Sequence, residues 1–230
     1  MIDVNLMIEG QMGVTWPRWQ RIARAAEAAG FDGLYRSDHF TDPEGPHLEA
    51  LELWTSLTWV AAQTSRIAFG PVVAPVSYRD PRIMAWQAAA IHALAPGRLR
   101  LGLGAGWNER EHEEFGFDLL GIDARFRRFT EALEVVTRLV REEGPVSFSG
   151  EFYELDGAEF VPNPVSFGTL PIVIGGNGPK RTLPLAAIIA VDDSGALLAA
   201  RASAALGLPH NSPESAEAAR DKHVMRSAFA

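Results

Sequence analysis

Short, continuously apolar segments alternate with longer segments that carry a single apolar stripe along most of the first 187 residues. The short segments predict buried strands, because the strands of a parallel sheet are covered on both faces. The longer ones repeat apolar residues at spacings of three and four, which predicts helices with one buried face. The clearest is 124–142, whose stripe is formed by Phe126, Phe129, Leu133, Val136 and Val140.

Five strands are predicted, and the first four are each followed by a predicted helix. A segment rich in proline and aromatic residues, 145–170, precedes the fifth strand. The predicted strands are 3–10, 31–40, 66–75, 98–106 and 171–176, and the predicted helices are 16–30, 48–64, 81–97 and 124–142.

This alternation predicts an α/β protein with a parallel sheet and helices outside it. The units recur about every 30 to 35 residues, which is typical of a (β/α)8 TIM barrel. A doubly wound sheet alternates in the same way and is the alternative. Both folds place their sites at the carboxyl ends of the strands.

Composition narrows the function classes. The net charge of −8 disfavours nucleic acid and anionic membranes as partners. There are no cysteines, which excludes disulfides, thiolate catalysis and cysteine-ligated metals. No metal site is predicted, and no apolar run approaches the roughly 18 residues of a membrane helix. We expect a cytoplasmic protein, and a homo-oligomer is an open alternative to a monomer.

Polar residues and glycines gather at the predicted carboxyl ends of the strands. In a barrel these ends converge on one mouth, where the active site forms. The residues in these positions are Ser37, Asp38 and His39 after the second strand, Ser77 and Tyr78 after the third, Gly102, Gly104, Gly106, Trp107, Asn108 and Glu109 at the fourth, and Gly175, Gly176, Asn177, Gly178, Lys180 and Arg181 at the fifth.

Four segments resemble the luciferase-like monooxygenase superfamily, most closely its branch that uses the deazaflavin coenzyme F420. They are "SDHF", "GLGAGWNEREHEEFG", "ARFRRFTEALEVV" and "PIVIGGNGPKRTL", and the resemblance runs in order from about residue 1 to 187. It implies a complete or incomplete TIM barrel with a bound deazaflavin or flavin, and redox chemistry at the barrel mouth.

The resemblance also implies individual roles. His39 matches a histidine near the reactive carbon of the ring that assists proton transfer, and Asp38 is expected to orient it or to contact the ring. Asn108 matches a ring-contacting asparagine; the alternative is that it caps the next helix. Val72 and Val73 match a bulge with a non-prolyl cis peptide behind the ring. Gly104 and Gly106 are expected to let the ring lie against the backbone.

The loop 175–181 follows a strand and opens a predicted helix, so its N–H groups suit a phosphate. The resemblance assigns Gly175, Gly176, Asn177 and Gly178 to the cofactor, with Lys180 and Arg181 adding charge; an ordinary turn is the alternative. By contrast, the acidic stretch 109–114 is expected to be a solvated first helical turn, with His112 at the surface.

The tail, 188–230, departs from the superfamily. It resembles the opening of ATP-grasp ligases, in which Lys222 falls on a lysine that reaches nucleotide phosphates. A generic alanine-rich ending is the alternative. The predicted domains are therefore 1–187, a truncated barrel, and 188–230, a ligase-like fragment. The truncated barrel is expected to have five or six strands, with Ile188–Val191 pairing beside the fifth strand or standing apart.

These interpretations predict an oxidoreductase that transfers a hydride between F420 and an organic substrate, with His39 as proton donor or acceptor. Three alternatives remain. In the first the chain is an FMN-dependent monooxygenase, in the second it is part of an ATP-grasp ligase that uses ATP, and in the third it is a cofactor-binding remnant without turnover.

Overall fold

The computed structural model of the protein describes residues 4–175 and the backbone of Ile188 and Ile189. The chain divides into two compact units, 1–172 and 173–230. The strands are β1 Asn5–Ile8, β2 Gly33–Arg36, β3 Ala68–Pro71, β4 Ala74–Pro75, β5 Leu101–Gly104, β6 Val146–Ser149, β7 Glu154–Ala158, β8 Ile172–Gly175 and β9 Ile188–Ile189. The helices are α1 Trp16–Ala28, α2 Leu53–Gln63, α3 Pro81–Leu94, α4 Glu109–Phe115 and α5 Ile122–Arg141, with a 3₁₀ turn at Pro164–Phe167.

Strands β1 to β5 of the first unit pair in parallel and follow chain order. β2 lies between β1 and β3, and Gly33 stands opposite both Asn5 and Ala68. β4 pairs with β5, and a bridge between Phe69 and Leu99 joins β3 to the start of the β5 segment. A doubly wound sheet reverses its strand order part-way. Sequential parallel order is instead that of a barrel, as the spacing of the units predicted.

The apolar stripe of α5 faces the core, as predicted. Phe129, Val136 and Val140 are buried, whereas Phe126 and Leu133 are half-buried. The remaining buried positions on this helix are Ala132, Val135 and Leu139. The face is therefore wider than a single three-four stripe, as expected for a helix packed against a sheet and a neighbouring helix.

Three predicted elements differ from the structure. Helix α2 begins at Leu53 rather than 48, because the Glu52 side chain caps it by accepting the Thr55 N–H at 2.6 Å. The predicted third strand is two strands, β3 and β4, separated by a cis Val72–Val73 peptide that the resemblance had implied. The segment 145–170 contains an antiparallel hairpin, β6–β7, within an otherwise parallel pattern.

Three glutamates on helices hold distant turns by accepting several backbone N–H groups in succession. Each carboxylate provides acceptors for amides that a loop leaves without a strand partner. Glu27 in α1 accepts from residues 65–67, Glu111 in α4 from residues 40 and 41, and Glu131 in α5 from residues 151–153.

In the second unit, β9 pairs in parallel with β8. Ile174 stands opposite Ile188, and Gly175 stands opposite Ile189. The predicted pairing of Ile188–Val191 beside the fifth predicted strand is confirmed for these two isoleucines; Val191 lies outside the described residues.

Candidate active site

The carboxyl ends of β2, β4 and β5 are joined by side-chain hydrogen bonds. His39, which follows β2, bonds to Glu111, which follows β5. Asp38 bonds to Arg79, which follows β4. The predicted convergence of these strand ends in the first unit is therefore confirmed, and two charged pairs lie at its centre.

The imidazole of His39 is held by a buried carboxylate. Its Nδ1 lies 3.0 Å from Oε2 of Glu111, whose side chain is completely buried, whereas 16% of the His39 side chain is exposed. The other oxygen, Oε1, accepts the N–H groups of Phe40 at 2.7 Å and Thr41 at 3.2 Å. The Trp107 ring meets the imidazole edge-on at 5.3 Å. These contacts fix the plane of the ring and leave its Nε2 side partly open.

Asp38 does not orient His39, contrary to one of its two predicted roles. Its carboxylate makes two bonds to Arg79, at 2.8 and 2.9 Å, and Arg79 also bonds Glu52 at 2.9 Å. Burial raises the pKa of Asp38 to about 6, although the bonds from Arg79 act in the opposite direction. An arginine clamp suits Asp38 better than the histidine does, because the guanidinium offers two parallel donors.

The raised pKa of Asp38 predicts a specific dependence of stability on pH. The folded state binds this proton more tightly than the unfolded state, where the pKa is near 3.8. Stability contributed by the group is therefore fully present below about pH 4 and is lost as the pH rises through about 6. Between pH 4 and 6.5 the free energy of unfolding should fall by about 1–3 kcal/mol relative to Asp38→Asn.

The measurement is urea unfolding of both proteins across that pH range. Comparison with Asp38→Asn cancels the carboxylates elsewhere whose pKa is lowered and whose contribution has the opposite sign. A difference between the two proteins that is flat, or that rises with pH, would contradict the assignment.

Asn108 is the N-cap of α4, the alternative that the sequence left open. Its Oδ1 accepts the Glu111 N–H at 3.4 Å, and its Nδ2 donates to the Thr41 carbonyl at 3.3 Å. The residue is buried, with 2% of its surface exposed. Both ends of the amide are thus used to join α4 to the loop after β2. A contact between Asn108 and a ring stays a prediction.

The acidic stretch is not a solvated turn, and the prediction for His112 is wrong. Glu111 and His112 are both buried, whereas Glu109 and Glu113 are exposed. His112 Nδ1 lies 2.6 Å from the Asn108 carbonyl, and its ring packs beside that of Tyr78. The prediction failed because a seven-residue helix following a strand end has an inward face, and residues 111 and 112 lie on it.

Glu111 is one of two site residues that the sequence analysis missed. A signal was available, because an N-cap asparagine followed three residues later by glutamate has the spacing of a capping box. Here the glutamate reaches across to the β2 loop instead of back to its own N-cap. Arg79 and its clamp on Asp38 were also missed, since nothing in "SYRDP" distinguishes that arginine from a surface residue.

The glycines of β5 and of the loop after it are required because neighbouring parts of the same chain occupy the space of their missing side chains. A Cβ at Gly102 would come within 3.0 Å of the Pro71 carbonyl oxygen, and one at Gly104 would meet the Val73 side chain at a similar range. Gly106 has a φ of +87°, and its missing Cβ leaves room for Ser77. The backbone approach that these glycines permit is therefore that of the β3–β4 segment, and ring contact at Gly104 and Gly106 stays a prediction.

Several predicted site residues lie outside the described part of the chain. Gly175 ends β8 and is described. The residues outside are Gly176, Asn177, Gly178, Lys180, Arg181 and Lys222.

The described residues include no cluster of side chains able to hold a metal ion, and none of their helices is long and apolar enough to cross a membrane.

Comparison with known proteins identifies the family. The family described as luciferase-like monooxygenase matches residues 4–226. The chain belongs to the luciferase-like monooxygenase family. The match continues through most of the segment 188–230, for which the sequence suggested a ligase-like fragment. The predicted boundary at 187 and the ATP-grasp likeness stay predictions.

Curated relatives in this family include proteins named for F420. The chain is 35% identical over 161 residues to an F420-dependent glucose-6-phosphate dehydrogenase of Kineococcus radiotolerans, covering 68% of this chain and 46% of the relative. It is 31% identical over 166 residues to a 5,10-methylenetetrahydromethanopterin reductase of Archaeoglobus fulgidus, covering 71% and 44%. The chain spans about half the length of the curated relatives it matches.

Solved structures establish the fold. An F420-dependent secondary alcohol dehydrogenase superposes with a TM-score of 0.76 at 20% identity, over 90% of this chain and 65% of that one. The FMN-bound oxygenating constituent of 3,6-diketocamphane monooxygenase from Pseudomonas putida gives 0.67 at 19% identity, over 91% and 64%. The luciferase-like proteins are TIM-barrel proteins, and the described strands form part of such a barrel.

Proposed function

We propose that this chain is the cofactor-binding part of an F420-dependent oxidoreductase acting on a small organic substrate. The observation that carries the proposal is His39 fixed on a buried carboxylate at the carboxyl ends of the strands. Two relatives whose names specify F420 or methylenetetrahydromethanopterin reduction support it, at 35% and 31% identity. Cytoplasmic location and self-association stay predictions.

The described residues fit such a group. Thr41 and Ser77 carry buried hydroxyl oxygens with no hydrogen-bond partner among the described residues. Both lie in loops after the strands that also carry His39 and Tyr78, so they are available to polar atoms of a bound group. Trp107 is 58% exposed beside His39 and offers a flat apolar surface there.

In the proposed reaction, F420 supplies or accepts a hydride when bound. His39 takes or gives the accompanying proton at Nε2, and Glu111 keeps the imidazole in place. Val72, Val73, Gly104, Gly106, Asp38 and Asn108 are proposed to surround the ring, and Gly175–Gly178 with Lys180 and Arg181 to hold the phosphate.

Titration with each cofactor separately tests the proposal. We expect saturable quenching of F420 fluorescence and weaker quenching of FMN, because His39 matches a histidine of the deazaflavin-dependent relatives. FMN binding with no F420 binding would favour the monooxygenase alternative, to whose FMN-bound members the fold is also similar. Binding of neither would contradict the proposal.

A further inference from the structure

We propose that Glu111 is a positioning residue that fixes the tautomer of His39, with the proton on Nδ1 and the lone pair on Nε2. The structural part of this inference depends only on the contacts of Glu111. Its consequence for turnover rests on the proposed function.

With Glu111 ionised, its contacts leave one arrangement of hydrogens. Its Oε1 accepts from two backbone N–H groups, those of Phe40 and Thr41. Backbone N–H groups are always donors, so the carboxyl group must present acceptors to them. A carboxylate has only acceptors, and the Nδ1 of His39 that faces Oε2 at 3.0 Å must then carry a proton.

The alternative partners of His39 are occupied or wrongly placed. Its chain neighbour Asp38 has both carboxylate oxygens bonded to Arg79. Trp107 meets the ring edge-on and limits its rotation without providing an acceptor for Nδ1. Among the described residues none hydrogen-bonds Nε2, so this nitrogen is left to a bound molecule.

The consequence is a histidine prepared to accept a proton on one chosen nitrogen. A neutral imidazole has one donor and one acceptor, and the hydrogen bond at one nitrogen decides which role the other plays. With Nδ1 as donor, Nε2 is the acceptor. The buried carboxylate also stands ready to stabilise the ring once both nitrogens carry protons, as an orienting carboxylate does for other catalytic histidines.

The substitution Glu111→Gln should invert the tautomer. Glutamine has nearly the same shape, but one of its oxygens is replaced by an NH2 donor. The Phe40 and Thr41 N–H groups require the amide oxygen, so the NH2 group turns toward His39. Nδ1 must then accept, and the proton moves to Nε2.

Nitrogen-15 NMR of the imidazole, on the protein without cofactor and at a pH where the ring is neutral, reads this directly. The chain has six histidines, and His39 is assigned as the signal missing from His39→Gln. We expect protonated Nδ1 in the native protein and protonated Nε2 in Glu111→Gln. The matched control is Glu114→Gln on the same helix, whose carboxylate pairs with Arg110 and His47 and leaves His39 alone.

Two results would overturn the proposal. One is an Nε2-protonated His39 in the native protein, which is decisive even if the glutamine variant fails to fold. The other is an unchanged tautomer in folded Glu111→Gln. Because these measurements need no cofactor, they stand or fall separately from the F420 titration.

Given F420 binding by this protein, Glu111→Gln should lower kcat by roughly 10- to 100-fold while the Kd for the cofactor stays unchanged. If Glu111 had a purely structural role, the substitution would change kcat and the Kd together or would change neither. Equal kcat in Glu111→Gln and Glu114→Gln would remove Glu111 from the positioning of His39.

Discussion

We expect His39→Ala to lower turnover with F420 by about 100-fold or more and to leave the affinity for the cofactor within a few-fold of the native value. In the proposed reaction the imidazole moves a proton and contributes little area to the site, so its loss should affect the chemical step rather than binding. Stopped-flow or steady-state absorbance of F420, with any substrate that the native protein turns over, measures the turnover. The fluorescence titration measures the affinity for the cofactor.

The matched control is His47→Ala. This histidine is exposed and contacts Glu114 and Arg110 on the surface of the same region. It should retain native turnover. A folded His39→Ala protein with native kcat would show that proton transfer occurs elsewhere.

Gly102→Ala should cost the protein about 3 kcal/mol or more of unfolding free energy, a large part of the 5–15 kcal/mol typical of a domain. The added Cβ would come well within 3.0 Å of the Pro71 carbonyl oxygen and to 3.1 Å from its carbon, and backbone atoms of a paired sheet cannot turn aside as a flexible side chain can. Urea unfolding monitored by tryptophan fluorescence gives the change.

Gly121→Ala provides the comparison for that variant. Gly121 has an ordinary φ of −66° at the start of α5, and no atom lies within 4 Å of the place its Cβ would occupy. Alanine there should change stability by less than about 1 kcal/mol. Equal losses in the two variants would mean that the contact between β5 and the β3–β4 segment is not what excludes a side chain at 102.

The elements set by local pattern were predictable from the sequence. The predicted helices at 16–30 and 81–97 begin where the structure has α1 and α3, because Thr15 and Asp80 cap them and a proline occupies each first turn. The order of the strands was not encoded so directly. It became clear only from the registers, in which Gly33 stands between Asn5 and Ala68.

The candidate site was only partly predictable, because the missing information was tertiary. His39 and Asp38 were found from their place at a strand end, but their partners were not. Glu111 is 72 residues from His39 along the chain, and Arg79 is 41 residues from Asp38. Charged residues in short polar stretches are usually solvated, so a prediction from composition assigns Glu111 to the surface. Its burial depends on amides supplied by another loop.

The three glutamates that hold distant turns also bear on where this chain could be cut or extended. Surface turns ordinarily accept an inserted peptide or a new pair of termini with little loss. Residues 65–67 and 151–153 look like such places, yet each is tied through successive amides to Glu27 or Glu131. An added residue there would break several bonds at once. Circular permutants and domain insertions are better placed near Gly144, between α5 and β6, whose missing side chain faces open space.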